Sequence, residues 1–135
     1  MNSRKVAGLV PYNKEKKVLL QLRGDDAPIN PGYWSSFGGG LEGDETPEEA
    51  MRRELVEEIE YRPISPRLFS VDDYVTEGVS LTEYAFIEEF DESQKLILHE
   101  GAAYKWFTIP ESLNLKITEY RRMALIRLGE FLKTL

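Results

Sequence analysis

Residues Gly38 to Tyr61 read GGGLEGDETPEEAMRRELVEEIEY, placing a glycine turn, a helix start and a one-sided set of glutamates in one short stretch. Thr46-Pro47-Glu48-Glu49 is a helix-start signal: the Thr46 hydroxyl can cap, Pro47 suits the first helical position, and Glu49 can close a capping box with Thr46. From Pro47 to Ile59 the residues are good helix formers, and Met51, Leu55 and Ile59 recur every four positions as an apolar stripe for a core. Glu54, Glu57 and Glu58 fall on a different side of that helix, where spacings of three and four bring side chains within about 5–6 Å.

Three carboxylates on one patch repel. At ~5.5 Å each ionised pair costs roughly 3 kcal/mol when partly shielded from water, and under ~1 kcal/mol when fully wet. A solvated acidic face would tolerate this, and protonation would relieve it. A hard divalent cation would also relieve it, and magnesium in particular is shared between a few carboxylates, waters and substrate phosphates. Gly38-Gly39-Gly40, just upstream, can bring backbone groups close to a ligand because it lacks β-carbons.

Gly39, five residues, Glu45, seven residues, then Arg53-Glu54-Leu55-Val56-Glu57-Glu58 resembles the Nudix box, G-x5-E-x7-R-E-U-x-E-E-x-G-U, with U a bulky apolar residue. Glu60 stands where that family has glycine, Tyr61 fills the last apolar position loosely, and Phe37 stands where many boxes have proline. The missing glycine would normally supply a left-handed cap, so this departure bears on the helix end more than on the chemistry.

The resemblance implies an α+β fold, an α/β/α sandwich with a mixed β-sheet between helices, formed by residues 1–135 as a single domain. It implies metal-dependent hydrolysis of a diphosphate linkage in a nucleoside diphosphate derivative, such as a nucleoside triphosphate or a nucleotide sugar. Magnesium is the expected cofactor, with manganese as a substitute. Carried over residue by residue, Glu54, Glu57 and Glu58 look like metal ligands, the Gly38 carbonyl could add another, and Arg53 with Glu45 would hold helix and loop together. The general base would be Glu54 or another acid, and Glu100, in His99-Glu100-Gly101, sits where relatives often carry an additional acidic residue. A plain loop glutamate is the alternative for Glu100. His99, the only histidine, has no evident titrating partner. Arg23, at a strand end, is comparable to an arginine that meets substrate phosphate in Nudix proteins, with a surface ion pair as the alternative.

The rest of the chain fits one ordinary domain. It has 135 residues, 41% hydrophobic and 30% charged, with no cysteine and hence neither disulfides nor thiolate metal sites. The N-terminal residues lack a secretory apolar region and no run approaches a membrane span, so a cytoplasmic protein is expected. A net charge of −7 with scattered Lys and Arg argues against a nucleic-acid polymer as partner, and a polyphosphate ligand would have to be met through cations; a small nucleotide-linked molecule is the partner that the resemblance implies. The resemblance leaves room for a homodimer.

Strands are expected at Val6–Val10 and Lys17–Arg23 around a turn at Pro11-Tyr12-Asn13-Lys14, and Gly24–Gly32 is a proline- and glycine-rich loop. Tyr33 to Phe37 leads into the glycine turn. Trp34 and Phe37 could stack on a base, or belong to the core. Further strands are expected at Arg67–Val75, Val79–Phe90, Lys95–Leu98 and Tyr104–Ile109, with a helical turn from Pro110 and a final amphipathic helix over Thr118–Leu135 whose apolar positions are Tyr120, Ala124, Leu128, Phe131, Leu132 and Leu135. The competing function is a catalytically silent Nudix-fold nucleotide-sensing or regulatory module. Such a module usually loses box glutamates, whereas here every acidic position is filled.

Overall fold

Residues Ala7 to Pro11 are buried without interruption, as expected of a strand covered on both faces. They form the middle of β1 (Asn2–Tyr12) in a computed structural model that describes residues 2–135. The remaining elements are β2 (Val18–Leu22), β3 (Trp34–Ser35), β4 (Phe37–Gly40), α1 (Pro47–Ile59), β5 (Arg67–Thr76), β6 (Val79–Glu89), β7 (Ala103–Phe107), α2 (Ile109–Ser112) and α3 (Glu119–Leu132).

β1 runs parallel to β6 along its whole length, from Asn2 opposite Val79 to Tyr12 opposite Glu89. On its other edge it pairs antiparallel with β4, Gly8 opposite Gly38, and with β2 at Tyr12 opposite Val18. The sheet order is β3-β2-β1-β6-β5, with β7 on β2. Successive residues of a strand point to opposite faces, so Leu9 and Leu19 pack with Met51, Leu55 and Ile59 of α1, while Val10 and Leu20 pack with Leu125, Leu128 and Leu132 of α3. A mixed sheet between two helical layers results, the α/β/α sandwich that the Nudix resemblance implies.

α1 begins and ends for local reasons. The Thr46 hydroxyl accepts from the Glu49 amide at 3.2 Å, and the Glu49 carboxylate accepts from the Thr46 amide at 2.8 Å. At the other end Glu60 adopts the left-handed conformation itself, φ 55° and ψ 32°. The helix therefore stops at Ile59 without the family's glycine, at a backbone cost of roughly 1–2 kcal/mol. Glu77 and Gly78, both with positive φ, make the tight turn between β5 and β6.

Four expectations need correction. The first strand continues through Tyr12, and the turn lies at Asn13–Lys16, where the Asn13 side chain accepts from the Glu15 and Lys17 amides. Tyr33–Phe37 is divided between β3 and β4, which pair with different strands. Lys95–Leu98 is not a strand: the Ile97 and His99 amides donate to the Ile59 and Glu58 carbonyls at 3.0 and 2.8 Å, so they serve the open end of α1. The buried face of α3 is Arg121, Leu125, Leu128 and Leu132: of the expected apolar row Leu128 and Leu132 are buried, while Tyr120, Ala124 and Phe131 are half-buried and Leu135 is exposed. No helix among the described residues is long and apolar enough to cross a membrane.

Candidate active site

The pairing of β4 with β1 sets the floor of the site. A β-carbon at Gly38 would lie 2.2 Å from the Ala7 carbonyl oxygen, and one at Gly39 would lie 2.3 Å from a Glu54 carboxylate oxygen. The Gly38 contact is with backbone and admits only glycine, whereas a β-carbon at Gly39 would push the Glu54 carboxylate aside. The Gly38 amide donates to Glu58 at 3.2 Å, and the buried Gln21 side-chain amide donates to Glu58 at 2.9 Å and to the Ser36 carbonyl at 3.0 Å.

The segment that caps α1 also delivers Glu100. With the His99 amide on Glu58 and the Ala102 amide on the Leu22 carbonyl, Glu100 is held beside the helix, and one carboxylate oxygen from each of Glu54, Glu58 and Glu100 lies within 4.8 Å of the others. Glu58 is 2% exposed. Burial, reinforced by the neighbouring Glu54 and Glu100 carboxylates, pushes its carboxyl up to about 9, against the pull of the Gly38 amide. An all-oxygen cluster of this charge, with one member buried, fits a hard divalent metal ion.

Arg53 braces the cluster. Its guanidinium forks onto Glu45 at 2.7 and 2.9 Å, reaches the Gly40 carbonyl at 3.0 Å, and meets Glu54 and Glu57 at 3.2 Å each. The fork holds the Glu45 carboxyl down at about 2. Glu57 is exposed and turned to Arg53, outside the three-carboxylate cluster.

Glu54, Glu58, Glu100, Arg23 and Gly38 line one cavity of about 640 Å³, together with Pro28, Ile29 and Asn30 of the Gly24–Gly32 loop. Arg23 pins that loop by donating to the Ile29 carbonyl at 2.7 Å. Neither aromatic candidate is on the cavity wall. Phe37 is fully buried in the α1 core, leaving no face for a base. Trp34 packs edge-on against Phe107, ring centroids 5.0 Å apart, in the α3 core. Aromatics beside the central strands are simply worth more as core.

Sequence reading missed Gln21, Glu83 and Arg121, and it left His99 without a partner where the structure sets it against Glu60. Signals for two of them existed. Arg121 interrupts an apolar helix row completed by Leu125, Leu128 and Leu132, and Glu83 interrupts the alternation of Leu81, Ala85 and Ile87.

The sequence matches the NUDIX domain family over residues 2–127. It is 30% identical to nucleoside triphosphatase NudI of Enterobacter sp. (strain 638) over 96% of this chain and 99% of that protein. It is 28% identical to dihydroneopterin triphosphate diphosphatase of Escherichia coli (strain K12), covering 82% and 81% of the two chains. Coverage of the relatives' own length falls to 36% where a match is confined to 60 residues. In structure it resembles MutT protein from Methanosarcina mazei Go1, TM-score 0.85 at 19% identity, over 96% of this chain and 95% of that one. With the NUDIX family match spanning nearly the whole chain, and the box glutamates gathered where β4, α1 and the Glu100 segment meet, the chain belongs to the Nudix hydrolase family.

Proposed function

We infer that this Nudix hydrolase cleaves a phosphoric anhydride bond in a nucleoside triphosphate or a similar heterocycle-linked triphosphate, using magnesium or manganese. The observation carrying this reading is the convergence of Glu54, Glu58 and Glu100 within 4.8 Å on a cavity large enough for an organic group. Two relatives named for triphosphate substrates support the substrate class.

Glu54, Glu58 and Glu100 would hold the cation, with the Gly38 carbonyl and, once turned away from Arg53, Glu57 completing its ligands. Bound there, the ion would offset charge on the anhydride oxygens and lower the pKa of a water. The protein's own part is orientation and proton transfer. Gln21 and the Gly38 amide fix the Glu58 carboxylate, and Arg53 ties Glu54 to the Glu45 loop. Glu54 or Glu100 takes the proton from the attacking water. Arg23 with the loop it pins forms part of the wall that positions the substrate, so binding energy from the organic group aligns the phosphates.

With no cysteine and a net charge of −7, the reading extends to a cytoplasmic enzyme acting on small molecules rather than nucleic-acid polymers. The test is product identification after incubation with magnesium and a panel of nucleoside triphosphates, nucleotide sugars and inorganic pyrophosphate. A nucleoside monophosphate with pyrophosphate, or a diphosphate with phosphate, is the expected outcome. Binding without cleavage across the panel would favour the sensing module instead. Highest kcat/KM on inorganic pyrophosphate would refute the role given to the organic group.

A further inference from the structure

The same cavity has a second charged feature that hydrolysis does not use. Glu83 of β6 and Arg121 of α3 are 5% and 6% exposed, form an ion pair at 2.9 Å, and both line the cavity. A buried ion pair kept only for stability gains little, since apolar residues of similar volume serve as well or better. This pair also has hydrogen-bonding capacity to spare.

A guanidinium carries five N–H donors and a carboxylate about four lone-pair sites. Arg121 donates one side-chain N–H, to Glu83, among the described residues. Glu83 accepts from Arg121 and the Tyr74 hydroxyl on one oxygen and from the Tyr120 hydroxyl on the other. Several donors and about one acceptor site are left for a ligand. Beside them Leu81 and the ring of Tyr74, stacked on Tyr120 at 3.7 Å, supply apolar surface for a flat ring.

We propose that Glu83 and Arg121 select the heterocycle of the substrate, favouring an edge with a carbonyl beside a ring N–H over one with an amino group beside a bare ring nitrogen. The proposal rests on the triphosphate reading above. A carbonyl oxygen offers two lone pairs to the guanidinium fork, and the adjacent ring N–H fills the open site on Glu83. This is the edge of hypoxanthine, guanine, uracil and pterin. An amino-type edge, as in adenine or cytosine, presents two donors to one acceptor site and a single lone pair to several donors. It leaves polar groups unpaired in a buried place, where discrimination is strong.

Inosine 5′-monophosphate and adenosine 5′-monophosphate differ at this edge alone, so their binding tests the proposal without any chemistry. Calorimetric or NMR titration should find the inosine compound bound at least about tenfold tighter. Inosine triphosphate should exceed adenosine triphosphate in kcat/KM by a similar factor, with the difference in KM. In Glu83→Gln the preference should collapse toward one. Equal affinities, tighter binding of the adenosine compound, or an unchanged ratio in Glu83→Gln would overturn the proposal. The wild-type comparison stands even where the variant fails to fold. If no triphosphate is cleaved while the inosine preference persists, the hydrolase reading fails and the selecting pair stands. If both triphosphates are cleaved equally well, the reverse holds.

Discussion

Glu58 and Glu83 are alike in type and depth, 2% and 5% exposed, and both line the cavity, but their neighbours differ. Glu58 lies among acids and receives amides from Gln21 and Gly38, and its carboxyl is driven up to about 9. Glu83 faces the Arg121 guanidinium and two tyrosine hydroxyls. A buried carboxylate must keep its proton or find a cation. The fold supplies that cation to Glu83, and in the proposed reaction a metal ion supplies it to Glu58. Depth therefore does not separate an acid paired by the fold from one that awaits a metal ion. The surroundings do.

The strongest way to break the contrast is to remove the built-in cation. Arg121→Met should cost about 3–5 kcal/mol in urea unfolding, because it strands Glu83 without a partner. A loss under ~1 kcal/mol would mean that the pairing is not what keeps Glu83 buried. Glu58→Gln should behave in the opposite sense. Turnover should fall at least ~100-fold, about 2.7 kcal/mol of activation, while the metal-free protein at pH 8 stays at least as stable as wild type. A fall in stability like that of Arg121→Met would erase the distinction.

A pH series sharpens it further. The Glu58 carboxyl is raised in the folded state, so its contribution is fully present below the ordinary carboxylate pKa, near 4.5, and is lost as pH rises through about 9. In chelator, Tm should therefore decline between pH 5 and 9, and added magnesium should restore more of it at the alkaline end. A magnesium effect independent of pH would contradict the assignment. The smallest effect concerns the end of the helix that holds Glu58. Glu60→Gly should relieve the left-handed strain and add about 1 kcal/mol, less whatever the Glu60 contact with His99 contributes. Destabilisation by more than ~1 kcal/mol would show that the contact with His99 outweighs the strain.

Legibility in the sequence followed the range of the interactions. α1, from Thr46 to Ile59, could be read because its cap, stripe and carboxylates all lie within a few residues of one another. The resemblance at Gly39 to Glu58 then supplied the sandwich around it. Glu83 and Arg121 are 38 residues apart and meet only once α3 has docked on the sheet, so nothing local marks them as partners. Lys95–Leu98 has the composition of a strand, but the amides of Ile97 and the following His99 go to the end of α1, a destination that alternation of residues cannot reveal. Phe37 and Trp34 were ambiguous because both a base and a core reward the same apolar ring.

The central claim is that the acid cluster around Glu58 works through a cation. It is tested most directly by following product release from a nucleoside triphosphate while magnesium is removed with chelator and then restored. Release should stop on chelation and resume on restoration in wild type, and should stay at least ~100-fold lower in Glu58→Gln throughout. Undiminished release in chelator, or a Glu58→Gln rate equal to wild type at saturating magnesium, would contradict it.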